Sequence, residues 1–230
     1  MADPERVTYT ATIDGITEVA PDTRSFTLHL PPTSGFTFSP GQFISCLLPV
    51  AGERLIRPYS VASPPEDLPT LEICLNRVAG GRGSGYLFGL FPGATLTFTG
   101  PWGTFRLDRQ PDTETVFLAE GLGIVPIRPM LRRALETGTR PVRLWYAAPT
   151  PDHLLYGTEL AATATTNPRF TYSPLVATSL EAAVEASFIT ADTQRSRAFY
   201  ICGVGDIVTR LRDRLRAAGY ERRAVQYEKW

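Results

Sequence analysis

The hydrophobic pattern of this chain changes period once, close to residue 110, and that change restricts the fold more than any other feature. Before it, "RVTYTATIDGI", "TRSFTLHL", "QFISCLLPV", "LIRPYSVAS", "LEICLNRV" and "ATLTFTGPWGTF" are short runs rich in Val, Ile, Thr and Phe, mostly alternating apolar with polar. Pro-Pro, Ser-Pro-Gly, Ala-Gly and Pro-Gly separate them. Runs of this kind predict a six-stranded antiparallel barrel. After the change, "TVFLAE" is continuously apolar up to Gly121. "IVPIRPMLRRALETG" then places Ile124, Ile127, Leu131 and Leu135 three or four apart and stops at Gly138, the spacing of a helix face. "PVRLWYAA", "RFTYSPLV", "AFYICG" and a short "AVQYE" read as further strands. "DIVTRLRDRLRAAG" reads as a helix, with Ile207, Val208, Leu211 and Leu215 on one face and Asp206 as N-cap. Strands alternating with amphipathic helices predict a parallel sheet covered on both faces. The expected fold is β + α/β: a barrel over residues 1–110, then a parallel-sheet nucleotide-binding domain over 111–230, joined near 109–113.

Charge and composition exclude several function classes. Lys plus Arg and Asp plus Glu each number 23, so no net field draws nucleic acid or an anionic membrane. No apolar run is long enough to predict a membrane span, and "MADPERVTYT" lacks the basic-then-apolar order of a secretory signal. Cys46, Cys74 and Cys202 are far apart, each in an apolar run, and predict reduced, buried thiols in a cytoplasmic protein. With two histidines, His29 and His153, and no C-x-x-C pair, a metal or iron–sulfur centre is not expected.

Five stretches carry residues suited to chemistry. "AEGLGIVP" (119–126) runs a strand into glycines and a helix, and "ICGVGD" (201–206) ends another strand of the same sheet. Ligands of parallel sheets sit at such carboxyl ends, where helix N-termini attract phosphate. The alternative is a pair of structural turns. In "LIRPYSVAS" (55–63), Arg57 interrupts an apolar strand directly before Pro58, Tyr59 and Ser60, which suits a flat anionic ligand or a strand leaving the core. "GGRGSGYLFGLF" (80–91) offers glycine amides, Arg82 and a Ser84 able to cap a short helix with its hydroxyl outward. It is either a flexible hairpin loop or, with Arg57, a two-arginine cradle for a pyrophosphate. Finally, "YEKW" ends on an aromatic where a polar, frayed end is usual; Trp230 either packs on the core or covers a flat ligand.

"RPYS", "GGRGS", "GLGIVP", "ICG" and the final aromatic, in that order, resemble the ferredoxin–NADP reductase superfamily. "FSPGQF" (38–43) and "PGATLTFTGPWGTF" (92–105) are similar to its barrel framework, so the likeness spans essentially the whole chain. The resemblance implies bound FAD, a nicotinamide nucleotide site in the second domain and hydride transfer between the two rings. It implies that Arg57 holds the flavin pyrophosphate, that Pro58 and Tyr59 belong to the flavin-binding strand with Tyr59 against one ring face, and that Ser60 bonds near the ring nitrogen accepting hydride. Cys74, Leu75 and Asn76 would run beside the ribityl and adenosine parts, and Arg82, Gly83, Ser84 and Gly85 would bind phosphate. Gly121, Gly123 and Gly203 would line the nicotinamide nucleotide, Cys202 would pack against nicotinamide, Glu228 would lie beside it, and Trp230 would stack on the opposite flavin face.

The departures concern the second domain. Glu120 and Leu122 flank the first glycine of the nucleotide loop, where the family has small or hydroxyl residues; a glycine near the start of "YAAPTPDHLLY" is alanine; and "CGVGD" replaces a proline-bearing turn. A carboxylate repels pyrophosphate, and leucine donates no hydrogen bond. The expectation is a cytoplasmic FAD oxidoreductase moving electrons between NADPH and a separate one-electron carrier, an acidic ferredoxin or flavodoxin, that meets Arg210, Arg214, Arg216, Arg222 and Arg223. NADPH is favoured over NADH on Trp230, with Thr178, Ser179, Arg195 and Arg197 available to a ribose phosphate. The alternatives are a reductase subunit of an oxygenase, a reductase of free flavin or small acceptors, and a flavin-binding module with a degenerate nicotinamide site.

Overall fold

The structure, a computed structural model, describes residues 7–107 and 113–230. The chain divides between Arg106 and Leu107 into two compact units. Of the expected connection at 109–113, only Thr113 lies within the described residues.

The first unit is one antiparallel sheet of β1 (Thr8–Ala20), β2 (Thr23–His29), β3 (Phe43–Val50), β4 (Glu53–Ser60), β5 (Thr70–Asn76) and β6 (Thr95–Trp102), in the order β4-β3-β6-β1-β2-β5. Alternation puts Ile44, Cys46 and Leu48 of β3, Leu96 and Phe98 of β6, and Phe26 and Leu28 of β2 into one core. The sheet curls shut where Val61, just past β4, bridges Ile73 of β5, and the Ala62 N–H donates to the Glu72 carbonyl at 2.8 Å. β1 runs longer than its apolar pattern. A register shift between Ile13 and Gly15 bends it, so its first part pairs with β6 and its remainder with β2. β3 and β4 join through Ala51 and Gly52, both at positive φ (52° and 78°), the conformation that two-residue hairpins require. The glycine-rich stretch folds into a short helix, α1 (Arg82–Phe88), whose Leu87 enters the barrel core. Its N-cap is Gly81 and not Ser84.

The second unit is a parallel sheet of β7 (Thr115–Glu120), β8 (Val142–Ala148), β9 (Phe170–Val176), β10 (Ala198–Gly203) and β11 (Val225–Lys229), ordered β11-β10-β7-β8-β9. Val116 and Leu118 of β7, with Phe199 and Ile201 of β10, pack under α4 (Leu180–Val184) and α5 (Ile207–Ala217). α2 (Ile124–Thr137) and α3 (Gly157–Thr166) lie against the sheet as well. α4 continues into a π-helical turn, Glu185–Thr190. The strand order reverses between β7 and β10, which makes the crevice at their carboxyl ends the place for a ligand.

Two expectations are corrected here. Asp206 holds the expected N-cap position of α5, but its side chain makes no capping bond; its carboxylate takes the Lys229 ammonium at 2.8 Å. Arg195 and Arg197 lie away from the crevice, at the amino end of the sheet. Arg197 pairs with Glu114, just before β7, at 2.7 Å and with Asp192, while Arg195 donates to the Phe188 and Ile189 carbonyls. Burial pushes the Asp192 carboxyl up, but Arg197, the Tyr220 hydroxyl and the Gln194 amide hold it down at about 2.

Candidate functional site

In the first unit the site grows from an edge strand with an unusual exposure pattern. Arg57 and Pro58 of β4 are exposed, Tyr59 is half-buried and Ser60 is buried, while the neighbouring Ile56 leaves 49% of its surface to solvent. Ile56 and Arg57 together present solvent with an apolar surface next to a cation. Arg57 stays close to its own strand, with Nη1 donating to the Ile56 carbonyl at 2.8 Å. Gly83 of α1 comes so near that a Cβ on it would lie 2.9 Å from Arg57 Cγ. The absence of a side chain therefore brings the first turn of α1, whose amides have no acceptor within the helix, alongside the guanidinium. Gly85 has open space above it.

Ser60 Oγ is the informative atom at the end of β4: it is buried and has no hydrogen-bond partner. A buried hydroxyl without a partner is costly, and a ligand atom removes that cost. Tyr59 precedes it, its phenol pushed up to about 12 by burial and by Cys46 against the pull of Arg57. Cys74 and Leu75 of β5 are buried and Asn76 is exposed. Arg82 is tied to Glu53 at 2.7 Å, next to a cavity of about 580 Å³ lined by Pro49, Gly52, Glu53, Arg54 and Tyr86. Ser84 departs from expectation. Its hydroxyl turns inward, accepting from the Val78 N–H at 3.0 Å, with Gly81 O at 3.3 Å, and so ties down the loop that precedes α1.

In the second unit the site lies at the reversal of strand order. Gly121, at φ 53°, and Gly123 form a tight turn between β7 and α2. A Cβ on Gly123 would sit 2.0 Å from the Cys202 carbonyl oxygen, so glycine is what lets α2 begin against the end of β10. Glu228 of β11 is in register with Cys202, and its Oε2 is buried without a partner. Burial raises its pKa to about 7. The Cys202 thiol is pushed up by burial and then by Glu228, against the Trp230 N–H, and the net rise favours its neutral form. Trp230 donates its indole N–H to Cys202 Sγ at 3.3 Å, while its backbone N–H reaches the Gly203 carbonyl.

Residues 10–107 match the model of the oxidoreductase FAD-binding domain, and residues 117–212 that of the oxidoreductase NAD-binding domain. The chain belongs to the ferredoxin–NADP reductase superfamily. Within it, ferredoxin–NADP reductase B of Sorangium cellulosum is 34% identical over 166 residues, 71% of this chain and 68% of that protein. The reductase component of propane 2-monooxygenase from Rhodococcus jostii is 28% identical over 94% of this chain and 62% of its own length. The crystal structure of the Amycolatopsis cytochrome P450 reductase superposes with a TM-score of 0.85 at 27% identity, over 97% of this chain and 69% of that one. This chain thus spans about two thirds of the length of each.

As a superfamily member the first unit is an FAD-binding domain and the second an NAD(P)-binding one. The residues present fit the flavin dinucleotide. The Ser60 hydroxyl lacks a partner, and Gly83 lets the first turn of α1 close up on Arg57, with open space over the neighbouring Gly85. One further residue at the nucleotide crevice escapes notice in the sequence, Glu181, and it engages Arg210, which the sequence offers to a carrier instead. Arg210 of α5 forks onto Glu181 of α4 at 2.8 and 3.2 Å, one turn from the parallel pair Arg214–Glu185 at 3.3 Å. Two acids four apart facing two arginines four apart is a signal, legible only once α4 and α5 are known to pack together.

Four of the five arginines offered to an acidic carrier, Arg210, Arg214, Arg216 and Arg223, are also engaged. Besides those two pairs, Arg216 donates to the Val225 carbonyl at 3.0 Å and Arg223 pairs with Glu221 at 2.5 Å.

Proposed function

We propose that this protein takes two electrons from NAD(P)H and delivers them singly to a separate one-electron acceptor, using FAD held by residues 57–60 and 82–85. The observation that carries the reading is the buried Ser60 hydroxyl without a partner, beside the Arg57–Gly83 approach, in a unit matched to FAD-binding domains. Bound FAD supplies the redox chemistry, accepting a hydride equivalent and releasing electrons one at a time. The chain's own residues bind, orient and exclude water. Arg57 and the first-turn amides around Gly83 would neutralise the diphosphate, and Arg82 would join them by exchanging Glu53 for it. Ser60 would donate to a ring nitrogen and Tyr59 would pack on the ring. The Cys202 thiol and the Trp230 indole would form an apolar wall for nicotinamide, with Glu228, near 7, able to hold a proton beside it. Three free, buried thiols favour a reducing, cytoplasmic setting.

The acceptor is proposed as a ferredoxin, a flavodoxin or an oxygenase component, in line with relatives named as ferredoxin–NADP reductase and monooxygenase reductase component. A second reading, a flavin-binding module without nicotinamide turnover, is favoured by Glu120 at the nucleotide crevice. The purified protein should be yellow, and anaerobic NADH or NADPH should bleach it within seconds. One dinucleotide should then reduce two equivalents of ferricyanide, with release of one proton. Protein that stays colourless after incubation with excess FAD sinks the proposal. A yellow protein that neither dinucleotide bleaches selects the second reading.

A further inference from the structure

We infer that the nucleotide crevice of the second unit selects the coenzyme without a 2′-phosphate, NADH, and that Glu181, by holding Arg210 and acting with Glu120, is the discriminating residue. This deepens the NAD(P)H reading above and rests on it.

The two coenzymes share a pyrophosphate; they differ by one phosphate monoester of about −1.5 to −2 charges at neutral pH. A site that prefers the phosphorylated form needs a cation free to meet it. Arg195 and Arg197 do not qualify, being tied to Phe188, Ile189, Asp192 and Glu114 at the other end of the sheet. At the crevice end, the cations at the start of α5 and on β11 are each opposed by a carboxylate: Arg210 by Glu181, and Lys229 by Asp206.

Glu120 is the third acid of this rim. It stands at the end of β7, where a Cβ on Gly203 would come 3.2 Å from its own Cβ, and Arg210 and Glu181 both act on its charge. Three carboxylates (Glu120, Glu181, Asp206) thus stand with two cations (Arg210, Lys229), leaving this group one negative charge in excess. Arg210 is exposed enough to move. Leaving Glu181 for a phosphate would strand that carboxylate beside a dianion, with Glu120 adjacent. A ribose diol meets the opposite situation, because its hydroxyls donate hydrogen bonds to carboxylates. Thr178 and Ser179 add no positive charge; Thr178 Oγ1 donates to the Val176 carbonyl at 3.2 Å, and Ser179 Oγ caps α4 by accepting from the Ala182 N–H at 3.3 Å.

Calorimetric titration of the FAD-loaded protein with NAD⁺ and with NADP⁺ tests this directly, alongside initial ferricyanide reduction rates with NADH and NADPH. NAD⁺ should bind at least about tenfold more tightly than NADP⁺. Glu181→Gln should tighten NADP⁺ by about fivefold or more while changing NAD⁺ by less than about twofold. Glu120→Gln should act in the same direction but less strongly, and it keeps the inference testable if the first variant does not fold. Equal or tighter NADP⁺ binding by the native protein overturns the inference, as do variants that shift both coenzymes alike. Binding of neither dinucleotide overturns the nicotinamide reading itself, a result distinct from reversed selectivity.

Discussion

Ser60 and Glu228 each bury an oxygen that the protein leaves without a partner, and each makes a different demand. Removing an unsatisfied hydroxyl relieves the free protein, so Ser60→Ala should leave the apoprotein's thermal stability unchanged or slightly raised. The same change should weaken FAD binding or slow flavin reduction by about tenfold or more, because the ligand loses a bond that only the loaded protein makes. A fall in apoprotein stability with unchanged flavin properties would reduce Ser60 to a packing residue. Glu228 titrates between an unfolded value of 4.5 and a folded value of about 7. In that interval the folded state keeps a proton that the unfolded state has lost, so stability declines as pH rises from about 4.5 to 7 and then levels off. The loss amounts to about 3 kcal/mol at most, from 1.36 kcal/mol per unit. Glu228→Gln should flatten the decline, seen as a smaller difference in melting temperature between pH 5 and pH 8. A profile unchanged from the native protein would show that another group titrates.

At the scale of elements, α1 is where composition and conformation part company. Its seven residues include two glycines, and helix propensity argues against them. Leu87 in the barrel core and the Ser84 bond to Val78 hold it in place, and neither contact is visible from local spacing. Gly83→Ala therefore tests packing more than propensity. The new methyl would press on the flexible stem of Arg57, 2.9 Å away, so FAD affinity should drop by about tenfold, measured by fluorescence titration of the apoprotein. Undiminished affinity would remove Arg57 and Gly83 from the binding surface. The strands were legible because each buries one face and so alternates, or is continuously apolar when buried on both faces. α3 was not, since "GTELAATATT" buries only Leu160 and carries little apolar periodicity. Asp206 takes the N-cap position the sequence assigns it, but its side chain makes no capping bond, because an ion pair with Lys229, contributed by a strand far along the chain, draws the carboxylate away.

For the molecule as a whole, equal numbers of acids and bases mean that no long-range field steers a partner. With Arg210, Arg214 and Arg223 also paired locally, electron delivery to ferricyanide or a carrier should change by less than about threefold between 20 and 300 mM salt. A steep fall with salt would reveal a docking surface of unbalanced charge. The second unit's integrity depends on the opposite end of its sheet, where Asp192 joins Arg197 and Tyr220. Asp192→Asn leaves Arg197 with less compensation in a buried setting and should cost about 3 kcal/mol or more, read by denaturant unfolding. What the sequence made visible of the site was the set of residues that offer chemistry; what it concealed was which charges were already spoken for. Arg195 and Arg197 looked available to a ribose phosphate, and only the packing of the π-helical turn and β10 shows them occupied. The contact between Gly123 and the Cys202 carbonyl carries an evolutionary consequence. Any other side chain there collides with main chain that has nowhere to retreat, whereas Glu120 and Leu122 leave more surface to solvent. In a saturation library over 120–123, survivors should diversify at the first and third positions and return only glycine at the last, so this loop can drift in coenzyme taste without ever moving its hinge.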